Sequence, residues 1–287
     1  MRVDYFSFSY FLMLIVAFLF ALLNYFILKN RSPKFQKYYI FFLLLSAFSL
    51  HFLKQLFEPY RSNLPAGFRH STFENICAVS VLIFPWIFIS KSKRWKDYMY
   101  YIGILSGVGA MLIPTEALGK ELLSFDILRF YYVHIVIFTA PMLMVKFGFH
   151  KLDYRRVFQL PLSFIIILVV ILVNEVILIA AGFVQTDMAT FLNQTERNSS
   201  FIFGPTKYFD NFIGLVMVFV PSLFKKPLIG ATDQVLYWPI VWMVIPCYIY
   251  LPLCGLLLSL PYEGERIKTD LSNFYTKTKQ KIMKKRG

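Results

Sequence analysis

A cysteine, an acid and two histidines are the residues of this chain whose types and spacing suit covalent chemistry. His70, Glu74 and Cys77 are spaced i, i+4 and i+7, which predicts that all three lie on one face of a helix. His134 follows within a later apolar segment. An imidazole beside a thiol favours the thiolate, and the thiolate is the nucleophile. Cys77 and His134 are therefore a candidate pair for nucleophilic chemistry.

The predicted depth of the two residues in a membrane supports this pairing. Cys77 is six residues into its predicted segment and His134 is seven residues into its own. At about 1.5 Å per residue, both lie about 10 Å below the same surface. The ester carbonyl of a phospholipid lies at a comparable depth. Two alternatives remain open, because a cysteine in a membrane helix often only packs and a histidine often only bonds a neighbouring helix.

Further polar residues in or beside the apolar segments are candidates for supporting or substrate-binding roles, because polar groups at membrane depth are costly. They are His70, Glu74, Asn75, Arg129, Tyr131, Asn174 and Glu175. An amide or a phenol among them is expected to donate to an oxyanion, and Glu74 or Glu175 to orient His134. Asn174 and Glu175 have the equally good alternative of holding neighbouring helices together. No metal, nucleotide or haem motif is present, so we expect neither a metal nor a cofactor.

The composition identifies the elements that must position these residues. Of the 287 residues, 57% are hydrophobic and only 16% are charged, whereas a soluble domain has about 25% charged residues. A disordered chain is excluded, and so is a secreted module built on disulfides, because there are only three cysteines. The apolar residues form long blocks. The sequence therefore predicts an all-α, polytopic membrane helix bundle.

Seven blocks approach the roughly 20 residues that a spanning helix needs. They are Phe8–Leu28, Tyr38–Phe57, Ser71–Ser90, Tyr98–Ile113, Ile127–Lys146, Leu160–Val184 and Val235–Leu260. The fourth contains Gly103 and Gly107 at a spacing typical of close helix packing. An eighth block, Phe209–Phe224, is short and carries Pro221, which predicts a re-entrant or interfacial helix.

The charge distribution predicts the orientation. The net charge of +14 resides in short basic clusters between the apolar blocks, where it sets topology, so we expect no nucleic-acid partner. The clusters follow alternate blocks, which predicts an amino terminus outside and a cytoplasmic carboxyl terminus. Residues 1–261 form a single transmembrane domain in this prediction. Residues 262–287 form a basic cytoplasmic tail that anchors the topology or binds anionic lipid.

Three motifs give the chain a resemblance to a known family. Asn75-Ile-Cys-Ala-Val-Ser80 heads one span, a Gly-rich segment runs from Tyr101 to Pro114-Thr-Glu116, and Phe130-Tyr-Tyr-Val-His134 follows. Over roughly Arg69 to Lys207 this order resembles the YwaF-like bacterial membrane proteins, whose animal relatives include cysteine-dependent phospholipid acyltransferases. The resemblance implies a thioester on Cys77 and a base at His134. Many bacterial members have a histidine where this chain has Asn75.

The expected function is therefore a membrane acyltransferase that takes a fatty acyl chain from a phospholipid near the outer leaflet. The acceptor is a lysophospholipid or the amino terminus of a lipoprotein. In a bacterium the protein would lie in the plasma membrane. The alternative is a small-solute transporter or a membrane binding protein with a polar site among its helices, and such sites usually lie near the midplane.

Overall fold

In the computed structural model, the described part of the chain comprises residues 1–186, 191, 199–205, 210–225 and 237–284. This part is helical and contains no strand, only isolated bridges such as that between Arg2 and Glu121. The all-α prediction is confirmed for these residues. The α-helices are α1 Phe8–Leu28, α2 Pro33–Leu53, α3 Leu64–His70, α4 Ile76–Ile89, α5 Lys93–Leu112, α6 Phe125–Lys146, α7 Leu160–Ala180, α8 Asp210–Met217 and α9 Val241–Lys284.

Short polar side chains determine where several helices begin. Ser7, Ser32, Asn75 and Ser92 precede α1, α2, α4 and α5, and each accepts a hydrogen bond from the amide three residues further on. Such a cap satisfies one of the amides that a helix start leaves without a partner. The sequence therefore marks these helix starts with the residue types that caps require.

Five described helical segments are long and apolar enough to cross a membrane. They are Phe8–Leu28, Pro33–Leu56, Phe125–Lys146, Tyr154–Ala180 and Val241–Lys277. Helix α4 is also apolar but has only 14 residues, and α5 begins with charged residues. The predicted span Phe8–Leu28 coincides with α1, and the next five are shifted by up to five residues at either end, whereas the helix of the seventh extends to Lys284. A multi-pass membrane protein accounts for this set of helices.

The carboxyl-terminal third differs in detail from the predicted segments. Helix α8 has eight residues, which is about 12 Å of helix and too short to cross a hydrocarbon core of about 30 Å. Phe209 and Val235, where two predicted segments begin, lie outside the described residues. Helix α9 continues through Pro261 to Lys284, so the expected tail begins inside a helix. Asp270 of this helix pairs with Arg155 at 2.7 Å.

Helices α5 and α6 approach each other more closely than side chains normally allow. A Cβ atom added at Gly103 would lie 2.7 Å from the carbonyl oxygen of Ile137. One added at Gly107 would lie 2.8 Å from the carbonyl oxygen of His134. The prediction that these glycines serve close packing is confirmed. Their contact determines where the side chains of α5 lie relative to His134.

The bundle has two chemically distinct ends. At one, here called the basic end, α4 and α6 finish and α5 begins, and Lys91, Lys93, Lys96 and Lys151 surround a common cavity. At the other, here called the Cys77 end, the amino-terminal segment bonds the α5–α6 loop, with the Val3 amide 3.0 Å from the carbonyl oxygen of Lys120. The direction of α4 places Cys77 at this second end.

Candidate active site

Cys77 is the second residue of α4, and its backbone amide lies between two amides that are hydrogen-bonded. The Ile76 amide donates to the Ser200 hydroxyl at 2.9 Å, and the Ala78 amide donates to Asn75 Oδ1 at 2.8 Å. Within the described part of the chain, the Cys77 amide between them has no hydrogen-bond acceptor. The start of a helix carries a partial positive charge. This position therefore offers a thiol and a hydrogen-bond donor from one residue.

Three buried hydroxyl groups surround the Cys77 thiol. Ser106 of α5 faces it, and Tyr98 lies close to both Cys77 and Ser80. Ser80 and Tyr98 are fully buried, and apart from the approach of Tyr98 to Ser80 and of Ser106 to Cys77, no described residue satisfies any of the three hydroxyls. Buried polar groups are nearly always satisfied, so such a group calls for an explanation. Together they make the surroundings of the thiol polar.

His70 and Glu74 contact each other, but they do not share a helix with Cys77. His70 is the last residue of α3, Glu74 lies in the connection, and α4 begins only after Asn75. The prediction that His70, Glu74 and Cys77 occupy one helical face is therefore wrong. The reason is that the Asn75 side chain caps a new helix immediately before Cys77.

The contact between His70 and Glu74 is part of a hydrogen-bonded group. His70 Nδ1 donates to Glu74 Oε2, and Arg69 Nη2 lies 3.1 Å from His70 Nε2. Arg69 also pairs with Glu74 at 3.2 Å. Burial raises the pKa of Glu74, but His70, Arg69 and Lys54 outweigh it and lower the pKa below its ordinary value.

A second group of charges lies beside the first. Asp126 accepts hydrogen bonds from Arg129 at 2.8 Å and from the Tyr60 hydroxyl at 2.9 Å. Lys54 is 3% exposed, and its Nζ lies 5.4 Å from the centre of the Tyr60 ring. Lys54 also donates to the carbonyl oxygen of His70, which joins the two groups. Pairing of this kind is what makes buried charges tolerable.

Glu116 connects the thiol with these charges. It lies in the loop after α5 and interacts electrostatically with Cys77, Glu74 and Arg129. The residue is exposed overall, and protein atoms surround its carboxylate. This enclosure, and the nearby charge of Glu74, raise the pKa of Glu116. A carboxylate with a raised pKa is a better proton acceptor.

His134 is buried on α6, and its tautomer is determined by one hydrogen bond. Its Nδ1 lies 2.7 Å from the carbonyl oxygen of Phe130, which can only accept, so Nδ1 carries the proton. Nε2 then has a free lone pair. Within the described residues, no hydrogen bond joins His134 to Cys77. Instead, the two residues lie against consecutive positions of α5, with Cys77 facing Ser106 and the His134 carbonyl oxygen next to Gly107.

The remaining predicted residues separate into two locations. Asn174 Nδ2 donates to the Thr72 hydroxyl at 3.0 Å, so α7 reaches the connection that carries Glu74. Glu175 is buried beside it in sequence. Tyr131 belongs to a different apolar cluster with Met13 of α1, away from the thiol. The structure therefore brings Asn174 to the Cys77 end of α4 and places Tyr131 elsewhere.

Comparison with known proteins gives one match. The model of the TMEM164 family, a membrane protein family, matches residues 5–225. The chain belongs to the TMEM164 family. No curated protein and no solved structure matches the chain.

The matched region of this TMEM164 family member includes Cys77, Ser106, Glu116 and His134 and omits α9. In the described part of the chain, no group of three His, Cys, Asp or Glu side chains could hold a metal ion. Sequence reasoning missed Ser106 and Glu116 as site residues. The available signals were a hydroxyl within the Gly-rich helix and an acid directly after Pro114-Thr115.

Proposed function

We propose that this TMEM164 family member is a membrane acyltransferase that carries a fatty acyl chain as a thioester on Cys77. The observation that carries the proposal is the position of the Cys77 thiol, between its own open amide and the buried Ser106 hydroxyl. Two donors beside a nucleophile suit the oxyanion that forms when an ester carbonyl is attacked. The resemblance to cysteine-dependent phospholipid acyltransferases suggests the same chemistry.

In the first half-reaction, the Cys77 sulfur attacks the ester carbonyl of a phospholipid. A carbon–sulfur bond forms, the carbon–oxygen ester bond breaks, and a lysophospholipid leaves after receiving a proton. The Cys77 amide and the Ser106 hydroxyl donate to the carbonyl oxygen while it carries negative charge. In the second half-reaction, a hydroxyl or amine of the acceptor attacks the thioester. The carbon–sulfur bond breaks, and the thiol recovers its proton.

The general base in this proposal is His134, whose Nε2 has the lone pair that the role requires. The resemblance implies the same assignment. Glu116 is a second proton acceptor beside the thiol, and its raised pKa suits it to assist. The acceptor is a lysophospholipid or the amino terminus of a lipoprotein, both of which present their reactive group at a membrane surface.

The proposed topology has seven spans, with the amino terminus outside and the carboxyl terminus in the cytoplasm. The concentration of lysines at the basic end supports this orientation. The length of α8 supports its assignment as an interfacial or re-entrant helix. In a bacterium, this topology places Cys77 near the outer leaflet of the plasma membrane.

Solute transport is the alternative that the geometry favours less. A transporter usually binds its solute near the midplane, between broken helices. Here the ion pairs of Glu74 and Asp126, together with Asn174, lie at the Cys77 end. A site at one membrane surface favours chemistry on a lipid ester.

Intact-protein mass spectrometry tests the proposal. The protein is purified with its own lipids and weighed before and after hydroxylamine, beside the variants Cys77→Ser and Cys254→Ser. Cys254 is the matched control because it is the other partly exposed cysteine. We expect a fatty-acyl increment that hydroxylamine removes, that Cys77→Ser lacks and that Cys254→Ser keeps. A wild-type protein with no increment, even when acceptor is withheld, contradicts the thioester.

A further inference from the structure

The basic end contains a cavity of about 410 Å³ that the proposed acyl transfer does not use. It lies where α4 ends, α5 begins and α6 ends, at the level of a membrane surface. Six basic side chains line it, and only one acidic side chain does. The basic residues are Lys91, Lys93, Lys96, Lys151, Arg156 and Arg266. They come from the α4–α5 loop, the start of α5, the α6–α7 connection and α9, so the fold collects them from distant parts of the sequence.

Two side chains that line the cavity, His150 and Arg156, are held from behind by one buried carboxylate, and this bonded group is here called the base of the cavity. Asp97 is 3% exposed and accepts hydrogen bonds from His150 at 2.7 Å and from Arg156 at 3.1 Å. Arg156 also donates to the carbonyl oxygen of Lys151 at 2.9 Å, which ties the α6–α7 loop to the base. The Asp97 charge is therefore balanced by Arg156 and leaves nothing to neutralise the lysines.

These four lysines form no ion pair with a described carboxylate. In the described residues, no carboxylate lies within 4.0 Å of the ammonium group of Lys91, Lys93, Lys96 or Lys151. Arg266 is paired with Glu263 at 3.0 Å and with Asp153 at 3.5 Å. Lys37, from the first turn of α2, adds a repulsive charge close to Lys96. The carboxylates of Asp97, Asp153 and Glu263 together are fewer than the basic side chains around the cavity. A net positive charge therefore remains.

We propose that this cavity binds a phosphate-bearing anion with two or more negative charges, the chemistry of a phosphomonoester headgroup. Unpaired lysines on a fixed base provide point charges for phosphate oxygens. The start of α5 adds the positive end of a helix dipole. The volume lies in the range of small-molecule sites, about 300–1,000 Å³, and exceeds what a single small ion fills. Phe149 and Leu152 give the lining an apolar side that suits a lipid.

Calorimetric titration of the full chain in an uncharged detergent tests this site. The probes are dihexanoyl phosphatidate, dihexanoyl phosphatidylcholine and pyrophosphate. We expect saturable binding of phosphatidate with one site per chain and no such binding of phosphatidylcholine. Binding of phosphatidate without pyrophosphate identifies the source as a lipid headgroup, and equal binding of both identifies a soluble phosphate compound. Failure of both to bind overturns the proposal.

Matched variants separate this cavity from the general charge of the surface. Lys91→Gln, Lys93→Gln and Lys151→Gln are combined in one variant, all at exposed positions. Lys29→Gln, Arg31→Gln and Lys34→Gln are combined in the control, which removes the same charge from exposed residues of the α1–α2 loop. We expect the cavity variant to bind phosphatidate about a hundredfold more weakly, from about fivefold for each of the three lysines, and the control to change little. Equal weakening in both variants overturns the proposal.

Discussion

The Ser106 hydroxyl of α5 faces the Cys77 thiol in the first turn of α4 and has no other hydrogen-bond partner among the described residues. A buried hydroxyl that is unsatisfied in the resting protein costs stability. The same hydroxyl is free to donate when negative charge develops on a carbonyl oxygen bound at the thiol. The hydroxyl that lowers folding stability in the resting protein is thus the one that would stabilise the oxyanion in the proposed reaction.

We expect Ser106→Ala to slow thioester formation by about 10²–10³-fold, the usual effect of removing one oxyanion donor. Its stability should change little, because apart from the thiol the lost hydroxyl has no partner among the described residues. Ser259→Ala is the contrast, since the Ser259 hydroxyl is bonded to the Tyr101 hydroxyl at 2.7 Å. That variant should lose about 1–3 kcal/mol of stability and keep its rate. Thioester formation followed by mass spectrometry and melting in detergent measure both effects.

His134→Gln should reduce the rate of thioester formation by about 10²–10⁴-fold, because a positioned base contributes that much. Glu116→Gln is the informative companion, with Glu121→Gln as the control for an exposed acid in the same loop. A smaller loss in Glu116→Gln than in His134→Gln fits assistance by the carboxylate. A larger loss in Glu116→Gln would transfer the role of base to Glu116. Time courses of acylation by mass spectrometry give the three rates.

The stability of the Cys77 end should depend on the ionisation of Glu74. Its folded pKa lies below the ordinary value of 4.5. The stabilisation from ionised Glu74 is therefore present above pH 4.5 and disappears as the pH falls through the folded pKa. At pH 7, the free energy of unfolding of Glu74→Gln should be about 1–3 kcal/mol lower than that of wild type, and its melting temperature should be lower as well. The difference should shrink towards pH 4, and a constant difference would refute the pairing as its source.

The close contact of α5 with α6 predicts opposite effects for two glycine substitutions. Gly107→Ala places a Cβ atom 2.8 Å from the His134 carbonyl oxygen and should destabilise the protein by about 1–3 kcal/mol. Gly109→Ala meets nothing within 4 Å and should gain about 0.5–1 kcal/mol, because alanine favours a helix. Melting temperatures in the same detergent compare the two. Equal effects would mean that the helices do not approach at Gly107.

The sequence predicts the helices better than it predicts the site, for a physical reason. Apolar blocks and capping residues act locally, so α1 begins and ends at the predicted residues. The start of α4 was misplaced because the segment from Ser71 to Glu74 is compatible with a helix by periodicity, and only the Asn75 cap interrupts it. Likewise, Pro261 and Tyr262 mark the predicted boundary, but the helix continues, and its Glu263 and Asp270 accept hydrogen bonds from Tyr154 and Arg155 of the α6–α7 connection.

The site depends on contacts between helices, which no local pattern contains. The i, i+4 spacing of His70 and Glu74 predicts that their side chains are neighbours. They do contact each other, although the predicted helix that would contain both does not form. The approach of Ser106 to Cys77 depends on how α5 lies against α4, which the glycine contacts with α6 determine. Glu116 reaches the same place only because α5 ends at the Cys77 end. Spacing along the chain says little about such distances.

The length of α4 makes the depth of the thiol a function of membrane thickness. Fourteen residues extend about 21 Å, whereas the hydrocarbon core is about 30 Å thick. With the lysines after Ile89 held in the polar region on one side, the first turn of α4 stops about 9 Å short of the other side. Longer lipid chains would submerge the thiol further, and shorter ones would raise it towards the glycerol backbone. In the proposed reaction, the rate of acyl transfer should therefore depend on bilayer thickness, because hydrophobic mismatch changes the distance between the Cys77 sulfur and the lipid ester.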